Sequence, residues 1–264
     1  CERVIVLRKR ALGLHWLLLW AASVRQAWSL VVDLRGGALG YLVLTRRRVM
    51  HFGRQESQHR VVELGQLLGL RQPPAPRIWT AAHHDKAAEE LIPSGRPVLA
   101  LGPAANWVAK TWPPERFAEL ARRLTASSGP LAGARIAVLG GPGDRRTAEP
   151  VLKAIAEAQR IDLIDKVDLL TAAACLRRAT VYVGNDSGLM HLAAAVGVPT
   201  VGLFGPSPVE RYRPWGTRTA VVRTRETYDE LINAPGFDAA ASPSLMGSIS
   251  VDQVEAAVRG LIQS

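Results

Sequence analysis

One stretch, residues 179–207, constrains the fold of this chain most, because it reads as strand, turn, helix, turn and strand. Residues 181–183 are β-branched and aromatic, as in a buried parallel strand. Residues 185–188 are Asn, Asp, Ser and Gly, which favour turns and helix N-caps. Apolar residues at helical spacing follow, and Gly197 stands where a helix C-terminal glycine belongs. With the apolar run at 201–204, the pattern predicts a βαβ unit.

The turn at residues 185–188 is also the predicted ligand site. In a βαβ unit, the turn after the first strand opens at the carboxyl edge of the sheet, where open α/β sheets bind ligands. The N-terminus of the following helix offers unpaired N–H groups and the positive end of the helix dipole. The sequence therefore predicts a site for a phosphate at this turn.

From residue 97 onwards, apolar runs alternate with stretches of helical periodicity. Such alternation predicts a parallel sheet with helices on both faces. A Pro-rich and polar stretch at residues 72–95 precedes it and reads as a linker. We therefore expect one domain at residues 1–94, linker included, and a second at residues 95–264. The strands of the second domain are predicted at 98–101, 135–139, 161–164, 181–183, 201–204 and 219–222.

The first domain raises the question of a membrane segment. The apolar run at residues 11–23 follows basic residues and superficially resembles a signal peptide. It is shorter than the about 20 apolar residues that span a bilayer, so we interpret it as an amphipathic core helix carrying Trp16, Trp20 and Trp28. The elements predicted in this domain are strands at 4–7 and 30–34 and helices at 11–25, 61–70 and 85–91.

The chain is strongly basic, with a formal net charge of +10, and this favours an anionic partner. Much of the excess lies in two runs, at residues 8–10 and 46–48. Neither run is interleaved with aromatic residues in a recognisable nucleic-acid module, so we expect a solvated face or a membrane-surface contact and no nucleic acid. The two cysteines cannot form a disulfide framework, which indicates a reducing compartment.

Three loops carry the candidate site residues, and each follows a predicted strand, so all three should meet at one sheet edge. The first loop contains Lys110, a cation suited to a phosphate or a developing negative charge. The second contains Gly140, Gly141 and Asp144, which allow close approach of the backbone and a hydrogen bond to a ribose hydroxyl. Singly, these are also compatible with a solvated lysine and an ordinary glycine turn; together they favour a site.

The third loop leads into the predicted helix of the βαβ unit. Asp186 offers a carboxylate to sugar hydroxyls, and the backbone that follows offers the phosphate cradle. The structural alternatives are an N-cap for Asp186 or Ser187 and a packed histidine for His191. The candidates here are Asn185, Asp186, Ser187, Gly188, Leu189 and His191.

Four motifs occur in the order, and near the spacing, of a known family. They are KTWPPERF at 110–117, LGGPGD at 139–144, GNDSGLMHLAA at 184–194 and FGPS at 204–207. In these motifs the chain resembles the lipopolysaccharide heptosyltransferases, glycosyltransferase family 9, over essentially all of the predicted second domain. A weaker similarity covers the strand at residues 30–36.

This resemblance implies a GT-B fold, in which two Rossmann-like domains with parallel sheets face each other across a cleft. The C-terminal domain would bind a nucleotide-activated sugar, typically ADP-heptose, and the N-terminal domain would receive the lipid A–core acceptor. By the same resemblance, Lys110 contacts the donor phosphates or sugar and Asp186 the sugar hydroxyls. The diphosphate is held through backbone and hydroxyl by Ser187, Gly188 and Leu189, and the donor site also includes Asn185, His191, Gly140, Gly141 and Asp144.

The resemblance further implies an inverting transfer that needs no metal and no cofactor. Members of the family open with a strand and a Gly-Asp turn that supplies the general base, and nothing before residue 30 matches this pattern. We therefore expect an incomplete N-terminal domain, either in a fragment or in a protein that has lost its base. Asp33 is a weak substitute for the missing aspartate.

The implied setting is the cytoplasm, at the inner face of the inner membrane, with peripheral contact to the membrane surface. One alternative is a non-catalytic nucleotide-sugar-binding homologue. A generic dinucleotide-binding protein is a further alternative, weakened because no GxGxxG motif follows a first strand. The last alternative, a nucleic-acid-binding protein, is suggested by the net charge alone.

Overall fold

The chain divides between Pro74 and Ala75 into two units, each with its own secondary structure. The computed structural model describes residues 4–8, 11–51, 53, 58–238 and 241–263. The division lies before the expected one at residue 94, because a helix that the sequence placed in the linker packs within the second unit.

The first unit contains a small parallel sheet of two strands, β1 and β2, in which Leu30 pairs with Arg47. Trp28 belongs to β1. The prediction that it lies on the preceding helix is wrong. The strand β2 runs through the basic residues 46–48, where no strand was predicted. The elements are α1 (Leu14–Ser23), β1 (Trp28–Asp33), β2 (Thr45–Met50) and α2 (Arg60–Leu67).

Two predictions for the start of the chain are wrong. Residues 4–8 form no strand, and their side chains are exposed. None of the ten residues of α1 is buried, so α1 is not a core helix in this structure. Lys9 and Arg10 lie outside the described residues. Among the helices that the structure describes, none has the length and apolar character needed to cross a membrane.

The Asp33 side chain, at the carboxyl end of β1, is bonded within the turn that follows the strand. The Asp33 carboxylate accepts hydrogen bonds from the N–H groups of Arg35, Gly36 and Gly37, at 2.8, 3.1 and 3.0 Å. Both carboxylate oxygens are therefore used to close the turn after β1. This local role accounts for Asp33 without a catalytic function.

The second unit is built on six parallel strands in the order β5-β4-β3-β6-β7-β8. Their burial is nearly continuous because apolar residues fill both faces, as the predicted runs require. The sequence predicted all six to within two residues at each end. They are β3 (Val98–Gly102), β4 (Arg135–Gly140), β5 (Arg160–Ile164), β6 (Val181–Asn185), β7 (Thr200–Phe204) and β8 (Thr219–Arg223).

Helices cover both faces of this sheet, as predicted. On one face, α4, α5 and α10 contribute apolar side chains to a core cluster with the strands. On the other, α3, α6 and α7 form a second cluster with the opposite side of the same strands. The helices are α3 (Ala82–Leu91), α4 (Pro114–Thr125), α5 (Arg145–Ala154), α6 (Leu169–Arg177), α7 (Gly188–Ala195), α8 (Val209–Tyr212), α9 (Tyr228–Ile232) and α10 (Val251–Gln263).

The βαβ unit that opened the sequence analysis is confirmed as β6-α7-β7. The helix α7 ends before Gly197, whose φ of 85° lies in the left-handed region that glycine tolerates. Because β6 lies at the centre of the sheet beside β3, the loops after these two strands emerge side by side. The fold thus places side by side the loop that contains Lys110 and the loop that begins at Asp186.

Candidate functional site

A buried ion pair forms where the loops after β3 and β6 meet. The Nζ atom of Lys110 lies 2.8 Å from Oδ2 of Asp186, although the residues are 76 positions apart in the sequence. The two side chains are 14% and 8% exposed. The structure therefore joins the two residues that were predicted independently as the cation and the carboxylate of the site.

Side chains from two loops and from the helix α7 surround the Asp186 carboxylate. Its Oδ2 atom also accepts a hydrogen bond of 2.7 Å from the hydroxyl of Ser207, which follows β7. The Nε2 atom of His191, one turn into α7, lies 3.8 Å from Oδ1. Ser207 was quoted within the FGPS motif but not predicted as a site residue, and its position after a central strand could have identified it.

Lys110 is held in place by its surroundings. Its Nζ atom lies 5.1 Å from the ring centroid of Trp107, within range of a cation–π interaction. Because the ion pair is largely removed from water, the attraction between its charges is stronger than at an exposed position. The pair therefore holds the Lys110 ammonium group in a fixed place at the carboxyl edge of the sheet, beside the carboxylate that balances its charge.

Asn185 faces the protein interior. Its side chain is fully buried, accepts a 3.0 Å hydrogen bond from the Trp112 N–H and donates a 2.7 Å bond to the Pro103 carbonyl. These bonds span the loop that contains Lys110. The family resemblance predicted Asn185 to be a donor-binding residue; in the structure its side chain instead clamps that loop.

A returning segment, residues 244–249, fastens the same loop from the other side. The Leu245 N–H donates to the Ala109 carbonyl at 3.0 Å. The indole N–H of Trp112 donates to the Ile249 carbonyl at 3.1 Å. The sequence contains no periodic pattern at 244–249, so this support could not be predicted.

The first turn of α7 is open. Ser187 occupies the N-cap position, but within the described part of the chain its side chain makes no capping hydrogen bond. Gly188 is exposed, and a Cβ atom built on it would have nothing within 4 Å. The N–H groups of this turn are therefore accessible beside the Lys110–Asp186 pair. The Ser187 hydroxyl, predicted as part of the phosphate cradle, is buried instead of facing the solvent.

The loop after β4 forms a tight turn of its own. Oδ2 of Asp144 accepts a 2.8 Å hydrogen bond from the Gly141 N–H. The Asp144 N–H in turn donates a 3.1 Å hydrogen bond to the Gly141 carbonyl. A Cβ atom on Gly140 would lie 3.0 Å from the Cβ atom of Asp144, so a side chain at this position would crowd the turn. Since β4 is the neighbour of β3, this turn lies at the same sheet edge as Lys110.

Comparison with known proteins is decisive for the family. Residues 19–234 match the sequence profile of "Glycosyltransferase family 9 (heptosyltransferase)". The chain belongs to glycosyltransferase family 9. It is 31% identical over 161 residues to lipooligosaccharide heptosyltransferase 2 of Haemophilus influenzae, which is 60% of this chain and 44% of that protein. It spans about half the length of the curated relatives that it matches.

Solved structures of this family share the fold. A family 9 glycosyl transferase from Veillonella parvula superposes with a TM-score of 0.74 at 20% identity, over 98% of this chain and 82% of that one. The E. coli ADP-heptose LPS heptosyltransferase II gives a TM-score of 0.67 at 19% identity, over 94% and 80%. The predicted fold class, α/β of the GT-B type with parallel sheets, is confirmed.

Metal ligands were not expected at this site. Among the residues that the structure describes, no group of three or more His, Cys, Asp and Glu side chains could hold a metal ion. The carboxylate nearest the open turn, Asp186, is instead neutralised by Lys110. The arrangement can bind an anion through the open N–H groups and the lysine, and a hydroxyl group through the carboxylate.

Proposed function

We propose that this glycosyltransferase transfers a heptose, or a related sugar, from an ADP-activated donor to the lipopolysaccharide core or lipid A. The observation that carries the proposal is the Lys110–Asp186 pair beside the open first turn of α7. Family membership and the names of the relatives, lipooligosaccharide heptosyltransferase 2 and ADP-heptose LPS heptosyltransferase II, support the sugar and the acceptor.

The donor diphosphate lies at the first turn of α7 in this proposal. The N–H groups of Gly188 and Leu189 and the helix dipole bind its oxygens, and Lys110 supplies the countercharge. Asp186 accepts hydrogen bonds from hydroxyls of the donor sugar, with His191 beside it. Gly140, Gly141 and Asp144 receive the ribose, after the Asp144 carboxylate exchanges its bond within the turn for one to a hydroxyl.

The proposed reaction is a direct displacement with inversion. A general base removes the proton of the acceptor hydroxyl, whose oxygen forms a bond to the anomeric carbon while the bond from that carbon to the ADP oxygen breaks. Negative charge grows on the departing diphosphate, and Lys110 and the α7 dipole stabilise it there. The proposal needs neither a metal nor a cofactor. It assigns the base to no residue, because Asp33 is bound by three backbone N–H groups.

The acceptor is proposed to reach the enzyme from the inner face of the cytoplasmic membrane. Arg46 and Arg47 on β2 are exposed and add positive charge to the first unit. Such charge favours peripheral contact with anionic lipid. Nucleic acid is not among the proposed partners.

The first test is calorimetric titration with ADP, UDP, an ADP-sugar and NAD. We expect selective binding of ADP and the ADP-sugar. Lys110→Ala and Asp186→Ala should each weaken binding of the ADP-sugar by about tenfold or more, since each removes a charged hydrogen-bonding group. Lys153→Ala is the matched control, because Lys153 is 71% exposed and pairs along α5 with Glu149.

Failure of the folded wild-type protein to bind any nucleotide would contradict the proposal. Nucleotide binding without transfer to a lipid A–core acceptor would favour the non-catalytic homologue. Where transfer occurs, EDTA should leave its rate unchanged; loss of activity that Mg²⁺ restores would contradict metal independence.

A further inference from the structure

The two oxygens of the Asp186 carboxylate have different surroundings. Oδ2 accepts a 2.8 Å hydrogen bond from Nζ of Lys110 and a 2.7 Å hydrogen bond from the hydroxyl of Ser207. These two bonds use both lone pairs of Oδ2. Oδ1 accepts no hydrogen bond from any residue that the structure describes, since Nε2 of His191, at 3.8 Å, is beyond hydrogen-bonding distance. One oxygen is therefore fully used within the protein, and the other is not.

The unused oxygen, Oδ1, is accessible to a ligand. It is not among the fully buried polar atoms that lack a partner in the described part of the chain. Since it has no hydrogen bond there, it keeps contact with solvent, although the Asp186 side chain is only 8% exposed. A carboxylate oxygen is a strong acceptor for hydroxyl groups, because its bonds are assisted by charge. Oδ1 is thus the atom through which Asp186 can contact a ligand.

The loop after β7 holds Ser207 in place. Ser207 lies between Pro206 and Pro208, and each proline restricts its own backbone and that of the residue before it. The Ser207 N–H donates a 2.7 Å hydrogen bond to the Gly205 carbonyl, and the residue is only 2% exposed. A Cβ atom added to Gly205 would overlap Sδ of Met246, so the loop also packs closely. The Ser207 hydroxyl is therefore a donor in a fixed position.

Lys110 alone would not fix the orientation of the carboxylate. An ammonium group acts as a point charge with three rotatable donors, and it can pair with either carboxylate oxygen. Lys110 and Ser207 belong to the loops after β3 and β7, which lie on opposite sides of β6 in the sheet. Two donors that reach the same oxygen from opposite sides restrict rotation of the carboxylate, as supporting hydrogen bonds do around a binding group.

We infer that Ser207 is a positioning residue whose hydrogen bond to Oδ2 keeps Oδ1 of Asp186 directed toward the donor sugar. The inference rests on the proposed function, in which Asp186 binds hydroxyls of that sugar. Because Oδ2 is already used, Asp186 contacts the sugar through one oxygen and not through a pair of bonds from both oxygens to neighbouring hydroxyls. Without Ser207 the carboxylate rotates on Lys110, and Oδ1 loses its direction. The ADP part of the donor does not depend on this contact.

The test is calorimetric titration of the full chain with ADP-heptose and with ADP, in the wild type, Ser207→Ala, Asp186→Ala and the double variant. Ser207→Ala should weaken binding of ADP-heptose about fivefold, the equivalent of one hydrogen bond, and leave the affinity for ADP unchanged. In the Asp186→Ala background, Ser207→Ala should have no further effect on ADP-heptose. This cycle separates positioning of Asp186 from general support of the loop, which would affect both ligands.

The matched control is Thr125→Val in α4, which also removes a buried hydroxyl. The Thr125 hydroxyl donates a 2.9 Å hydrogen bond to the Ala121 carbonyl within the helix. The substitution should leave both affinities unchanged. If Ser207→Ala does not fold, Ser207→Cys gives the same comparison, because a thiol has a similar shape and is only a weak donor.

Three results would overturn the inference. Wild-type affinity of Ser207→Ala for ADP-heptose would exclude positioning by the hydroxyl. Equal losses for ADP and ADP-heptose would show that Ser207 supports the whole site. A loss that persists undiminished in the Asp186→Ala background would exclude action through Asp186. If Asp186→Ala weakens binding of ADP-heptose and Ser207→Ala does not, the proposed function stands and only this inference fails; if ADP-heptose does not bind to the wild type, both fail.

Discussion

At the scale of single residues, glycines at strand ends leave space that a side chain would fill. At Gly184, an added Cβ atom would meet the Tyr182 hydroxyl at 2.2 Å and the Gly102 carbonyl at 2.9 Å. The second contact is to backbone, which cannot turn aside. The end of β6 therefore depends on the absence of a side chain at residue 184, which the sequence offered only as the first residue of the motif at 184–194.

Gly184→Ala is expected to lower the free energy of unfolding by about 2–3 kcal/mol, as for an overpacked core. The matched control is Gly260→Ala in α10, where an added Cβ atom has nothing within 4 Å. That substitution should stabilise the protein by about 0.5–1 kcal/mol, because alanine is the better helix former. Urea unfolding measures both, and equal stability of the two variants would contradict the geometry at Gly184.

Cys175 in α6 is predicted to be an unreactive thiol. It is buried, and burial raises the pKa of its thiol from 9.0 to about 11. In a Cys1→Ser background, where Cys175 is the only cysteine, alkylation of the folded protein at pH 8 should be about 100-fold slower or more than that of the unfolded chain. The rate should rise with pH up to about 11 in the folded protein and level off near 9 in the unfolded one. Equal rates at pH 8 would show that the thiol is accessible.

At the scale of elements, the site depends on one amide that joins β6 to the loop after β3. Asn185→Ala would leave the Trp112 N–H and the Pro103 carbonyl buried without partners. We expect a loss of about 2–4 kcal/mol in the free energy of unfolding, since each unsatisfied group costs about 1–3 kcal/mol. Weaker ADP binding should accompany it, because the loop holds Lys110. Asn233→Ala, at an exposed position after α9, is the control; unaltered stability of Asn185→Ala would refute the clamp.

Elements were predicted well where burial imposes a period, and poorly elsewhere. The strands of the second unit are continuous apolar runs, and α4 repeats apolar residues every three or four positions, with Phe117, Leu120 and Leu124 buried. The strand β2 was missed because residues 46–48 are exposed arginines and give no apolar pattern. The apolar run at 4–7 was taken for a strand, although in this structure it has no strand partner among the described residues.

At the scale of the whole molecule, the second unit contains a complete sheet and hydrophobic core of its own. Its sheet, its helices and both core clusters lie within residues 75–264. The helix α3 belongs to it because Ala88 and the following Ile92 are buried against the α6 face of the sheet. The boundary of the folding unit therefore precedes α3.

A chain of residues 75–264 is expected to unfold cooperatively and to retain ADP binding. A chain of residues 95–264 should lose about 3 kcal/mol or more of stability, because removing α3 and Ile92 exposes their apolar partners on α6. Thermal unfolding followed by circular dichroism compares the two. Identical unfolding temperatures would place the boundary at residue 94, where the sequence analysis put it.

The sequence by itself determined the six strands of the second unit, the longer helices from α4 onwards and the turn at residues 185–188, because these depend on local periodicity and on residues that favour turns. It did not predict the short helices α8 and α9. It also carried the motifs that identify the family. Only the tertiary structure decided which side chains meet: Asp186 with Lys110, 76 positions away, and with Ser207, 21 positions away. It likewise decided that Asn185 faces inward. Such contacts arise where loops from separate strands converge, and no local pattern records which loops will be neighbours.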